Sequence, residues 1–142
     1  MTAHVRRGII TDLKTKLLTI GYGGVWNTRT GPTRNSYPCI TFFSETEQNE
    51  NETFQLPPRP QDRKLNVSIK VWVKGTVDVE KAETDMDAAA VAVEGVLTCP
   101  ALATDIKLLD TLFEVAEEEP DIHSVTLNYQ IDYITTEFSP VA

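Results

Sequence analysis

Cysteine and histidine are scarce in this chain, two of each, and their scarcity removes several kinds of site at once. Cys39 and Cys99 are too few to form a disulfide framework. His4 and His123 stand far apart, and neither has a second histidine or a cysteine at metal-ligand spacing. Long apolar runs are lacking too. Arg6 and Arg7 precede Gly8, Ile9 and Ile10, but Thr11, Asp12 and Lys14 interrupt that run at once. It is too short for a signal peptide or a membrane span, so the expectation is a cytoplasmic protein with no membrane contact. Basic charge is in deficit: 13 Lys and Arg against 21 Asp and Glu leave a formal net charge of -8. A nucleic-acid-binding surface needs the opposite balance, because it must neutralise phosphates. There is also no nucleophile elbow, phosphate-binding loop or dinucleotide fingerprint. No catalytic, cofactor-binding or metal residue is assigned, and the expectation is a protein that is not an enzyme. Carboxylates assembled only in space would leave no such trace, so a small cytoplasmic enzyme stays open as an alternative.

What is present fits one domain over residues 1–142, long enough for a core without staples. Hydrophobic residues at 41% and charged residues at 24% are ordinary for a folded chain. The charge is unevenly spread: residues 1–43 carry Arg6, Arg7, Lys14, Lys16, Arg29 and Arg34 against Asp12, about +5, which leaves about -13 for the rest. Such a split suits head-to-tail contact between identical copies, although on this feature alone a merely acidic, soluble surface is the better explanation.

The most legible stretch is Leu65 to Leu97. Leu65, Val67, Ile69, Val71 and Val73 alternate with Asn66, Ser68, Lys70, Trp72 and Lys74, the pattern of a strand with one buried face. After Gly75 the period lengthens, and Ala82, Met86, Ala89, Ala90, Val93, Val96 and Leu97 make one helical stripe ending before Pro100. Glu80, Glu83, Asp85 and Asp87 near its start lack the loop glycine and terminal glutamate of a calcium-binding hand, and read as a solvated face.

Val5, Ile9, Ile10, Leu13, Leu17 and Leu18 predict a first helix, stopped by Gly21, Gly23 and Gly24. Those glycines follow a helix instead of a strand, so a phosphate cradle is not favoured. Short strands are predicted at Val25 to Thr28 and Cys39 to Phe43, with Cys39 a small buried group. Residues 44–64 hold Glu45, Glu47, Glu50 and Glu52, then Pro57, Pro58 and Pro60 with Arg59, Arg63 and Lys64. They read as a long acidic loop too polar for core, with at most a short strand near Thr53 to Leu56. Pro57 to Pro60 matches PxxP but reads better as a stiff turn. Leu102, Ile106 and Leu109 predict a short helical piece over Ala101 to Asp110; Leu112 to Ala116 and Val125 to Ile134 read as strands around an exposed Glu117 to Asp121 turn. Residues 135–142 have no pattern and form a tail, loose or ordered by a neighbour. The fold class is α+β: a mainly antiparallel sheet of about four to five strands, with two main helices on one face.

In this order, the passages Tyr37-Pro38-Cys39-Ile40, Pro100-Ala101-Leu102 and Leu127-Asn128-Tyr129-Gln130-Ile131-Asp132-Tyr133 resemble the tail terminator proteins, minor tail proteins of lambda-like, long-tailed bacteriophages. The resemblance spans nearly the whole chain. It implies a homohexameric ring at the head-proximal end of the tail tube, which stops tube polymerisation and offers the surface for head-tail joining. The partners implied are further copies of the chain, the tail tube protein and the head-tail connector protein. It also implies a place in the virion after assembly in the bacterial host cytoplasm, DNA passing through the ring without specific binding, and no cofactor. Another neck, head-tail adaptor or completion protein is the alternative.

Within that picture, Arg6, Arg7, Arg29 and Arg34, with Arg59, Arg63 and Trp72, are expected at neighbour or tube contacts. Acidic groups would line a DNA channel better than basic ones, which would hold the phosphates. Glu45, Glu47, Glu50 and Glu52, or Glu117, Glu118 and Glu119, are therefore expected to face the lumen.

Overall fold

The computed structural model describes residues 4–28, 38–51, 60–74, 79–98, 100, 103–115 and 122–136. Helix α1 (Val5–Leu18) is followed by strands β1 (Val25–Asn27), β2 (Cys39–Asn51) and β3 (Pro60–Lys74), helix α2 (Val79–Val96), and strands β4 (Asp105–Val115) and β5 (Ile122–Thr136). The strands form one five-stranded sheet in the order β1-β2-β3-β5-β4. Among the described strands only the β1–β2 pair is parallel. This is the α+β class expected from the periodicities.

The alternation in β3 and β5 fixes which face is buried. Leu65, Val67, Ile69 and Val71 of β3 and Val125, Leu127, Ile131 and Tyr133 of β5 are each at most 1% exposed. One core cluster joins them to Ile9, Leu13 and Leu17 of α1 and to Met86, Ala89 and Val93 of α2. Both helices therefore cover the same face, each through its apolar stripe. Helix α2 packs on β3 and β5, while α1 packs beside α2 and against β1. The Lys16 ammonium ties the two helices at one end, donating to the Thr98 carbonyl oxygen at 2.8 Å.

The end of α1 follows from its glycine. Gly21 adopts φ +83°, a left-handed conformation that a residue with a Cβ enters only at a cost, and its N–H bonds the Leu18 carbonyl. At the other end, His4 is the N-cap, and its Nδ1 accepts the Arg6 N–H at 3.0 Å. Histidine is not a favoured cap, so no sequence signal marked this role.

Three expectations from sequence need correction. The acidic stretch 44–64 is not a loop where it is described: Ser44 to Asn51 and Pro60 to Lys64 are strand, continuing the β2–β3 ladder out to Asn51↔Gln61. Polar residues suffice because pairing within the hairpin, plus the β5 ladder on the other side of β3, satisfies the backbone without apolar burial. A bulge between Ser44 and Thr46 places Glu45 outside the alternation. The helical piece predicted around Ile106 and Leu109 is also strand, part of β4. Its register shifts between Leu108 and Asp110, and the extra residue, Leu109, produces a three-residue apolar spacing inside an extended chain. Thr135 and Thr136, placed in the tail by sequence, end β5 against β3. The strand near Thr53 to Leu56, residues 57–59 of the PxxP turn, Cys99, and the Glu117 to Asp121 turn lie outside the described residues.

Candidate assembly surface

Residues on the second face of β2, β3, β5 and β4 meet no helix among the described residues. Register lines up Thr41, Lys70, Thr126 and Leu112 as one rung, and Phe43, Ser68, Asn128 and Asp110 as another. Together with Glu45, Trp72 and Glu114, most of these side chains border a shallow concavity of about 360 Å³. Trp72 lies half-buried on this face: its indole N–H donates to Thr41 Oγ1 at 2.9 Å, and Lys70 Nζ sits 4.4 Å from its ring centroid. Lys70 also reaches Glu114 at 3.7 Å. An ammonium over an indole face is attracted by the ring quadrupole, so this lysine and the aromatic hold each other in place. Beneath them Thr41, Ser68 and Ser124 are at most 4% exposed. The result is a shallow, partly aromatic face of mixed charge.

At the opposite end of the sheet, several of the residues expected at interfaces pair with one another. Glu47 lies on the helix side, with its side chain 10% exposed. It accepts from Arg6 at 2.9 Å, from Arg63 at 3.3 Å and from the Tyr133 hydroxyl. Arg63, itself 12% exposed, donates further to Thr135 at 2.8 Å and to Gln61 at 3.1 Å. His4 stands edge-on to the Tyr133 ring, centroids 6.4 Å apart, with Nε2 3.1 Å from the Arg63 guanidinium. Because Nδ1 accepts from Arg6, the neutral ring carries its proton on Nε2, and a second proton on Nδ1 would break the cap bond. Burial, then the charges of Arg6 and Arg63, hold the His4 pKa below its ordinary value, with Glu47 opposing. Burial, and the bond to Glu47, push the Tyr133 hydroxyl well above its usual range. Such a carboxylate is a lock between α1, β2, β3 and β5.

The remaining expected residues divide. Arg7 and Glu45 are exposed, and Arg6 is half-exposed despite its ion pair. Glu50 lies in the β2 backbone ladder. Arg29, Arg34, Arg59, Glu52, Glu117, Glu118 and Glu119 lie outside the described residues. Cys39 is fully buried, and burial pushes its thiol up to about 11, so it is a packed side chain with no reactive thiolate at neutral pH. Among the described residues no three His, Cys, Asp or Glu side chains are placed to hold a metal. No helix there is long and apolar enough to cross a membrane.

No protein-family model matches the sequence, and no curated protein does either. The fold has counterparts among solved structures. A chain from the virion of a native gene transfer agent (GTA) particle superposes with a TM-score of 0.59. The match covers 92% of this chain and 98% of that one, at 13% identity. At that identity the likeness establishes a shared fold over nearly the full length of both chains.

Proposed function

We propose that this chain is a virion structural protein, and specifically a tail terminator: a ring-forming subunit that caps the head-proximal end of a tail tube and offers the surface for head joining. The observation that carries the proposal is the near full-length likeness of its fold to a chain of a virion. The sequence resemblance to tail terminators supports the narrower reading. The architecture suits it as well, because among the described residues one face of the sheet meets no helix and carries Trp72 among polar residues. A ring subunit must present unlike surfaces to its two neighbours, to the tube and to the head, and a helix-covered plate with one bare face gives it a rigid frame for them. In this proposal the partners are further copies of the chain, six to a ring, the tail tube protein and the head-tail connector.

The experiment is to mix the purified protein with isolated tail tubes and, separately, with filled heads, and to image both by negative stain. Rings on one end of the tubes are expected. Binding to heads in the absence of tails would instead identify a neck or adaptor protein.

A further inference from the structure

Strand β4 is one edge of the sheet, and the two helices pack on β1, β3 and β5. The consequence is clearest at one rung. Val125 on β5 is fully buried, while its partner Phe113 on β4, one strand further out on the same face, is 49% exposed. Leu109 at the bulge and Leu112 on the other face are 51% and 52% exposed. Leu112 on one face and Phe113 on the other thus flank an edge with Leu109 at its bulge, and among the described residues no strand pairs with that edge, which is a hazard unless something covers it. The charges beside them are mainly negative: Asp105, Asp110 and Glu114 against Lys107.

A complementary surface exists at the other side of the molecule. Helix α1 packs against β1, the opposite edge strand. Its outward face carries Arg7, Thr11, Lys14, Thr15 and Leu18, all exposed, with Leu18 at 55%. The one acid of that helix, Asp12, is held by Lys16 at 3.2 Å, so the outward stripe presents positive charge around an apolar residue.

We propose that the β4 edge of one copy seats against the outward face of α1 in the next copy, with Leu109 and Leu112 meeting Leu18, Asp110 meeting Lys14 and Asp105 meeting Arg7. The two surfaces are unlike and lie at opposite sides of the sheet, so the contact is heterologous and propagates from copy to copy, closing where the rotation allows. Opposite charge fixes the orientation, and the apolar residues supply the desolvated centre. The inference names the subunit interface of the ring and rests on the ring reading above.

Charge exchange in the full chain tests it. Assembly on tail tubes and in solution is followed by native mass spectrometry and negative stain, with urea midpoints taken on each variant to verify folding. Reversing one side, Arg7→Glu with Lys14→Glu, or the other, Asp105→Lys with Asp110→Lys, is expected to raise the assembly midpoint at least about tenfold, since like charges then face each other. Combining all four reversals is expected to bring the midpoint back to within about threefold of the unmodified protein. Leu112→Ser, which leaves every charge in place, is expected to weaken assembly without lowering the urea midpoint. Rings that form normally in all variants would overturn this interface and leave the ring reading standing. Loss on both single sides without rescue would overturn the pairing of the two surfaces. An unmodified protein that stays monomeric in solution and on tubes would sink the ring reading, and this interface with it.

Discussion

The carboxylate of Glu47 joins Arg6, Arg63 and Tyr133 in a largely buried cluster, and Glu47→Gln tests what that costs. The change keeps size and one acceptor oxygen but removes the charge that Arg63 and Arg6 share. Arg6 is 42% exposed, so solvent screens most of its loss. Arg63 is only 12% exposed, and would be left as a largely buried guanidinium without a counter-ion. Removing one partner of a buried pair costs about 3–5 kcal/mol. Thr135 and Gln61 still accept from Arg63, which lowers the expected cost to about 2–3 kcal/mol. For a chain of this length that corresponds to a fall in Tm of about 6–10 °C. Urea denaturation followed by tryptophan fluorescence gives the free energy directly. Glu47→Leu combined with Arg63→Met, which removes both charges, should cost less than Glu47→Gln alone. A Glu47→Gln variant within about 0.5 kcal/mol of the unmodified protein would refute the buried-lock reasoning.

The His4 pKa is lowered on folding, so below about pH 6.5 the unfolded chain takes up a proton that the folded chain refuses. Stability present above that pH should fall as the pH drops through the folded value. His4→Asn, which keeps a good cap, should flatten this slope in urea midpoints measured between pH 7 and 5; identical slopes would contradict the assignment. Gly21→Ala should cost about 1 kcal/mol because φ +83° crowds a Cβ, and an unchanged melting temperature would argue against that conformation. Trp72→Phe keeps an aromatic face for Lys70 but loses the donor to buried Thr41, and should destabilise by about 1 kcal/mol in thermal melts.

Some parts of this structure could be read from local pattern and others could not, for identifiable reasons. Strands β3 and β5 lie in the middle of the sheet with one face on the core, so their two-residue alternation is strict and legible. Helix α1 likewise shows its stripe and its glycine stop. Strand β4 is an edge with a bulge, and Leu109 broke the alternation that would have announced it. The outer β2–β3 hairpin has little apolar pattern to read, because backbone pairing holds it more than burial does. The lock was invisible for a different reason: Tyr133 and Glu47 are 86 residues apart, Arg63 and His4 are 59 apart, and no spacing rule joins them. The bare second face of β3 was legible as a polar row containing Trp72. That no helix of the described chain covers it follows from tertiary packing, which sequence alternation does not specify.

The most direct measurement of the proposed role is tail tube length. Purified tube protein is polymerised with increasing amounts of this chain, and lengths are scored by electron microscopy together with the position of any bound ring. A terminator should halt growth at sub-stoichiometric ratios, with rings of six copies at one end only. Tubes that keep elongating with no ring at either end, at every ratio tried, would contradict it.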